Sequence, residues 1–327
     1  MSDAANSASD YPEARENIEA PRRQTPIIIA LILALLLVTG VLIGTKVMYS
    51  RIKDQPVSVA SIDAPDATTS QCQNVLAAVP DELNGLDQAP LADPIPAGVA
   101  VWRDQEANQI TLRCGIEAPQ QYSEYATEFT AAGTSWFEVR DATPGLDLAT
   151  WYAVGSTPLV AITAQGQPAQ DKVDFAELTD ALSYLDDTPQ DYQPLALSDF
   201  KTPYTGHCEE FLSELPASIG DSPTYERIAH TDLSQSAVYI AAGLEPIVIR
   251  CGVEFPASYE PGAQLQQING VNWMEDTTLG NGTTASTWYA IDRADVVVAS
   301  MPQAGGSAAL PVISNAIAAT LAVDTRE

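Results

Sequence analysis

Basic residues are scarce in this sequence: 15 lysines and arginines stand against 43 aspartates and glutamates in 327 residues. The imbalance is almost entirely downstream of residue 53, where 38 acids face nine bases. A surface of that sign repels nucleic acid and anionic headgroups, so neither is expected as a partner. It keeps a domain soluble and tolerates cationic partners. Histidine is scarcer still, with only His207 and His230, and neither sits in a metal-ligand spacing. There is no Gly-x-Ser-x-Gly elbow, no Asp-x-Asp-x-Asp-Gly calcium loop and no Cys-x-x-Cys pair, so nucleophilic, calcium-dependent and dithiol chemistries lack a local motif. No cofactor and no metal is expected. Charged residues make up only 18% of the chain and hydrophobic ones 46%, which places its bulk among globular rather than disordered sequences.

One stretch lacks charge altogether. From Gln24 to Thr45 the chain is nearly all aliphatic, and a bilayer core needs about 20 such residues as a helix. A cleaved signal peptide has a shorter apolar region, about 7 to 15 residues, with a small-residue site close behind it. Here the one acceptable site, Ser58-Val59-Ala60, lies well beyond the run, and no Cys follows it directly. The expectation is an uncleaved signal anchor and a single-pass protein of the cell membrane. Arg15, Arg22 and Arg23 on one side balance Lys46, Arg51 and Lys53 on the other, so charge does not orient the span. The four cysteines do, because all follow it, as in an exported, oxidised domain. The N-terminus is then cytoplasmic and the rest extracytoplasmic.

Set against itself, the chain repeats. Ile110-Thr-Leu-Arg-Cys-Gly-Ile-Glu-Ala-Pro-Gln-Gln-Tyr122 aligns with Ile247-Val-Ile-Arg-Cys-Gly-Val-Glu-Phe-Pro-Ala-Ser-Tyr259, identical at seven of 13 positions. The same offset of 137 carries Gly133-x-x-Trp136 onto Gly270-x-x-Trp273 and Trp151-Tyr152 onto Trp288-Tyr289. At an offset of 136, Cys72-x-x-x-Leu76-x-x-x-Pro80 matches Cys208-x-x-x-Leu212-x-x-x-Pro216. Two copies of one domain follow a membrane helix. The reading is a tail over 1–25, a signal anchor over 26–45, a linker over 46–70, a first repeat over 71–186, a Pro- and Asp-rich linker over 187–206 and a second repeat over 207–324.

Each copy reads as a helix starting at its first Cys, then strands near 98–102, 110–114, 135–139, 150–154 and 159–163 in the first copy, then a closing helix over 174–185 or 308–321. Few helices alternate with the strands. The fold class expected is therefore α+β: a mostly antiparallel sheet with flanking helices and one disulfide in each copy. Four cysteines permit three pairings, and the duplication favours Cys72 with Cys114 and Cys208 with Cys251.

Arg113 and Arg250 are the same residue in the two copies and stand out where bases are few. They suit a carboxylate or phosphate anchor, or else a structural pair with Glu117 or Glu254, or a helix end. Trp136 and Trp273, with Trp151-Tyr152 and Trp288-Tyr289, either line a pocket for sugars or peptides or fill a core at strand spacing. Arg250, Trp273, Arg113 and Trp136 are the candidate binding residues, with no catalytic set.

The second copy, at Gly243-Leu-Glu-Pro246-Ile-Val-Ile-Arg250-Cys-Gly-Val-Glu-Phe-Pro256 and Asn269-Gly-Val-Asn-Trp273, resembles the actinobacterial exported family called domain of unknown function 3515. The first copy keeps Leu112-Arg-Cys-Gly115 and Gly133-x-x-Trp136 but has Glu106 and Gln109 in place of Gly243 and Pro246. The resemblance implies a cell-envelope setting and carries no activity. The function expected is a membrane-anchored envelope protein that binds a protein or cell-wall component. The alternative is a hydrolase or transferase acting on envelope glycans.

Overall fold

The computed structural model describes residues 25–53, 55–106, 108–141, 145–204, 206–276 and 285–324. The tail expected over residues 1–25 lies, except for Thr25, outside them. The chain divides into two units, Met1–Ile52 and Lys53–Glu327. In the first, helix α1 runs over Thr25–Lys53, and its stretch Ile28–Thr45 is long and apolar enough to cross a membrane. At 1.5 Å per residue those 18 residues rise about 27 Å, close to a bilayer's hydrocarbon thickness. The hydroxyls in the stretch are satisfied internally: Thr39 Oγ1 donates to the Leu35 carbonyl at 2.7 Å and Thr45 Oγ1 to that of Val41 at 2.8 Å. Such pairing is what a medium without water requires. One such helix fits a membrane anchor or a signal sequence.

The second unit holds two eight-stranded sheets. The first is made of β1 (Glu82–Leu83), β2 (Leu86–Gln88), β3 (Val99–Arg103), β4 (Gln109–Cys114), β5 (Glu128–Ala131), β6 (Thr134–Arg140), β7 (Leu148–Tyr152) and β8 (Val160–Gln165). The second is made of β9 (Ser218–Ile219), β10 (Tyr225–Arg227), β11 (Ser236–Ile240), β12 (Ile247–Val253), β13 (Gln266–Ile268), β14 (Val271–Asp276), β15 (Ala285–Ala290) and β16 (Val296–Pro302). Their orders are β1-β2-β3-β4-β8-β7-β6-β5 and β9-β10-β11-β12-β16-β15-β14-β13. Each sheet is thus two four-strand meanders joined through their last strands, antiparallel at β4 with β8 and at β12 with β16. Identical topology in the two halves makes them copies of one fold. Among the described residues the class is α+β, with antiparallel sheets and one disulfide in each.

Alternation along the central strand sets the layers. In β4, Ile110, Leu112 and Cys114 point to the core shared with helix α2 (Ser70–Ala78), the short helices α3 (Gln167–Asp171) and α4 (Thr179–Leu182), and a 3-10 turn at Phe175–Leu178. In β12, Ile247, Ile249 and Cys251 point to a core under α5 (Cys208–Glu214) and α6 (Gln303–Thr320). Helix α6 contributes Ala309, Leu310, Ile313, Ala316 and Ile317, a stripe at helical spacing. Cys72 joins Cys114 and Cys208 joins Cys251, so each bond ties the first helix of a copy to its central strand.

The opposite faces are covered by chain rather than by helix. Val57 and Val59 pack on Val99 and Val101, and Leu195, Leu197 and Phe200 pack with Val238, Val248, Met274, Tyr289 and Val298. The segments preceding the two repeats are therefore straps across the sheets. Tyr125 of the first copy joins the strapped face of the second, and Arg140 N donates to the Gly243 carbonyl at 2.8 Å. Covered on both sides, β12 and β16 are buried along all seven of their residues.

One element differs between the copies. The closing helix expected over 174–185 is instead the 3-10 turn followed directly by α4, and both are parted from α3 at Lys172, whose φ of 68° and ψ of 151° lie outside any helical geometry. In the second copy the closing helix runs unbroken and starts at Gln303, earlier than the Ala308 expected.

Peptide mapping without reductant should yield linked fragments for residues 72 with 114 and 208 with 251; a crossed 72–208 linkage would contradict the fold. Replacing Cys208 and Cys251 together by Ser should lower unfolding stability by up to about 4 kcal/mol, the chain-entropy value for a loop of this length.

Candidate functional site

The central strand carries Arg-Cys-Gly in both copies; its Cys holds the first helix, and its Arg and Gly serve the strap. Arg250 is 3% exposed. Its Nη1 donates to the carbonyls of Leu197 and Phe200, both at 2.7 Å, and its Nη2 to that of Ser234 at 3.3 Å. Arg113 Nη2 donates to the Ala60 carbonyl at 2.8 Å. Burial holds both guanidinium pKa values below their usual range. The following glycines stand at φ 74° and 85°. A Cβ on Gly252 would fall on the Tyr204 carbonyl oxygen, and one on Gly115 on the Ala67 backbone nitrogen. The strap hydrogen-bonds there, from Tyr204 N to Gly252 O at 3.2 Å and from Asp66 N to Gly115 O at 3.0 Å. These arginines therefore hold backbone carbonyls of the straps rather than Glu117, Glu254 or a helix end.

Trp136 and Trp273 lie on the other face, fully buried under the helices. Trp136 Nε1 donates to the Ala131 carbonyl at 3.0 Å and Trp273 Nε1 to Ser314 Oγ of α6 at 2.9 Å. The sheet separates Arg250 from Trp273 and Arg113 from Trp136, so the four do not converge on one cavity.

A cavity does open beside this core in the second copy. It measures about 600 Å³ and is lined by Gln266, Ile268, Glu275, Ser286, Trp288 and, from α6, Gly306, Ser307, Leu310 and Pro311. Ladder register assembles it: Gln266 faces Trp273 across β13 and β14, and Glu275 faces Trp288 across β14 and β15. Trp288 is 8% exposed, and its Nε1 donates to Ser286 Oγ at 2.9 Å. With the indole N–H satisfied, it offers the cavity carbon surface. The first turns of α6 carry Gly305, Gly306, Ser307 and Ala308, side chains too small to reach across to the sheet. The pocket is apolar on the helix side and polar at Glu275, Ser286 and Gln266.

The first copy is closed at the same place. Register puts Phe129 opposite Trp136 and Glu138 opposite Trp151, so Phe129 stands where Gln266 does and Glu138 where Glu275 does. Phe175 packs against Phe129, Trp136 and Trp151, with centroids at 5.7, 4.4 and 5.8 Å, contacts favourable to aromatic pairs. Ala149 replaces Ser286, and Trp151 Nε1 is buried without a partner. Two smaller cavities, of about 340 and 320 Å³, lie along the 193–200 strap and between the copies at Tyr125 and Leu244.

Of the pocket residues, Trp288 belongs to the aromatic set repeated in both copies, whereas Gln266 and Ser286 lie outside every motif that the copies share. Their signal lay in the differences, Phe129 against Gln266 and Ala149 against Ser286.

A family model described as Protein of unknown function (DUF3515) matches residues 31–189 and again 178–325. The chain belongs to this family. Both family matches include the strap ahead of the sheet, so the strapped sheet is the family's unit and this chain carries two. No curated protein and no solved structure matches the chain.

Replacing Arg250 by Met should cost about 2 to 4 kcal/mol in chemical unfolding, since several buried carbonyls lose their donor. Arg113→Met, with one bond at a half-buried site, should cost less. Equal losses would contradict the unequal strapping.

Proposed function

We propose that this chain is a cell-envelope binding protein, anchored by α1 with its N-terminus in the cytoplasm and both sheets outside. The first copy is structural, and the second holds a ligand in the pocket between β13–β15 and α6. The observation that carries this reading is the contrast between the copies. One fold is filled with Phe175 and Phe129 in one half and left open beside Trp288 in the other, with the polar groups Glu275, Ser286 and Gln266 at the opening. A concave, largely apolar site with a few polar groups is the usual form of a ligand site. Glycoside hydrolysis uses two carboxylates, about 5 to 9.5 Å apart. Glu275 is the one carboxylate among the lining residues, which favours binding over hydrolysis. The disulfides favour an oxidising compartment for both sheets.

Saturation-transfer NMR of the detergent-solubilised chain against a fragment library tests this. Ser307 is exposed at the pocket rim, so Ser307→Trp should block the site without disturbing the core. Hits are expected to disappear in that variant and to persist with Ser183→Trp on the first copy's surface. A hit list unchanged by Ser307→Trp would overturn the assignment.

A further inference from the structure

We infer that the pocket of the second copy takes an organic cation, an ammonium or guanidinium group on an apolar stem. The inference rests on the binding reading above and specifies its ligand.

The first copy carries such a cation of its own. Lys172 Nζ lies 4.9 Å from the centre of the Phe129 ring and 4.0 Å from Glu138 Oε2. Arg140 Nη2 sits 2.6 Å from Glu138 Oε1, and its Nη1 donates to the Ala169 carbonyl at 2.9 Å. Glu138 is therefore neutralised twice, and an ammonium rests on an aromatic face, where the ring's electron density attracts it. Lys172 is held there in a backbone conformation, φ 68°, that L-residues rarely adopt. Asn84 Nδ2 fixes its carbonyl at 3.1 Å.

The second copy keeps the carboxylate and loses both cations. Glu275 occupies the register position of Glu138, opposite Trp288. At the offset of 137, Thr277 stands in sequence for Arg140 and Ala309 for Lys172, and α6 has no basic residue. Among the described residues no Lys, Arg or His lies within ion-pair distance of Glu275. A half-buried carboxylate beside an indole surface, in a domain with 38 acids and nine bases after residue 53, sits in a field that draws positive charge in. Carbon surface from Ile268, Leu310 and Pro311 lines the same cavity and suits a methylene stem, as in snorkelling lysines. What the first copy supplies within the chain, the second takes from outside.

The test titrates the detergent-solubilised full chain with cadaverine and with a terminally blocked Gly-Lys-Gly peptide. Their neutral counterparts are pentanol and the Nε-acetylated peptide. Binding by either charged probe is expected to be saturable, and weaker by roughly tenfold or more for its neutral counterpart, as for loss of a charged hydrogen bond. Glu275→Gln should lose the same factor, and Glu138→Gln should not. Tighter binding of cadaverine marks a free amine as the source, and tighter binding of the peptide a side chain of a partner. Neutral probes that bind equally well, or amine binding indifferent to Glu275→Gln, would overturn the cation assignment while leaving the pocket's role intact. No saturable binding of either charged probe would overturn it as well, and the fragment screen then decides separately whether the pocket binds anything.

Discussion

The Arg-Cys-Gly triplet on the central strand is the constraint on which each half of the disulfide-bonded unit depends. Alternation along a strand turns Arg and Gly to one layer and the Cys between them to the other, so three consecutive residues can fasten both faces of the sheet at once. The cysteine fixes the first helix from one side. The arginine collects strap carbonyls from the other, and the glycine admits the strap backbone where any Cβ would exclude it. Helix and strap are consecutive in the chain, so fastening both at one point closes each copy around its sheet. In the second copy the arginine is more deeply buried and makes more bonds than in the first. The unfastened carbonyls would otherwise be buried without donors, at a cost of about 1 to 3 kcal/mol each.

With the scaffold held in this way, the far edge of the sheet is free to diverge. The edge strands β5 and β13, with the closing helices, are where the copies differ in kind. In the first, the broken helix lets Phe175 drop onto Trp136 and Trp151 and brings Lys172 to Glu138. In the second, an unbroken α6 starting with small residues spans the same edge without filling it. Among the described residues, the first copy fills this place with an aromatic cluster and the second leaves a cavity there. A tandem arrangement in which both copies were equivalent would not need the first to bury an aromatic cluster at that place.

Much of this was legible in the sequence. The offsets of 136 and 137 contained the duplication and the cysteine pairing, because shared residues mark shared scaffold, and the run of short strands between two helices contained the sheet class. The same logic misdirects a search for the site. Arg250, Trp273, Arg113 and Trp136 recur because they hold the fold together, and they lie on opposite faces of the sheet. The short strands β1, β2 and β9 carry too few residues to show a period, and the break at Lys172 depends on a backbone torsion that no composition announces. Glu275 and Trp288 become neighbours only through the register of β14 with β15, which sequence spacing does not reveal.

Among the described residues, the second copy is open at Trp288 where the first is sealed at Trp151. Fluorine NMR of protein labelled at its five tryptophans, with resonances assigned by substitution and a soluble paramagnetic agent added, reads this directly. The account predicts marked broadening of the Trp288 resonance and little change at Trp102, Trp136, Trp151 and Trp273. Equal response at Trp151 and Trp288, or none at either, would contradict it.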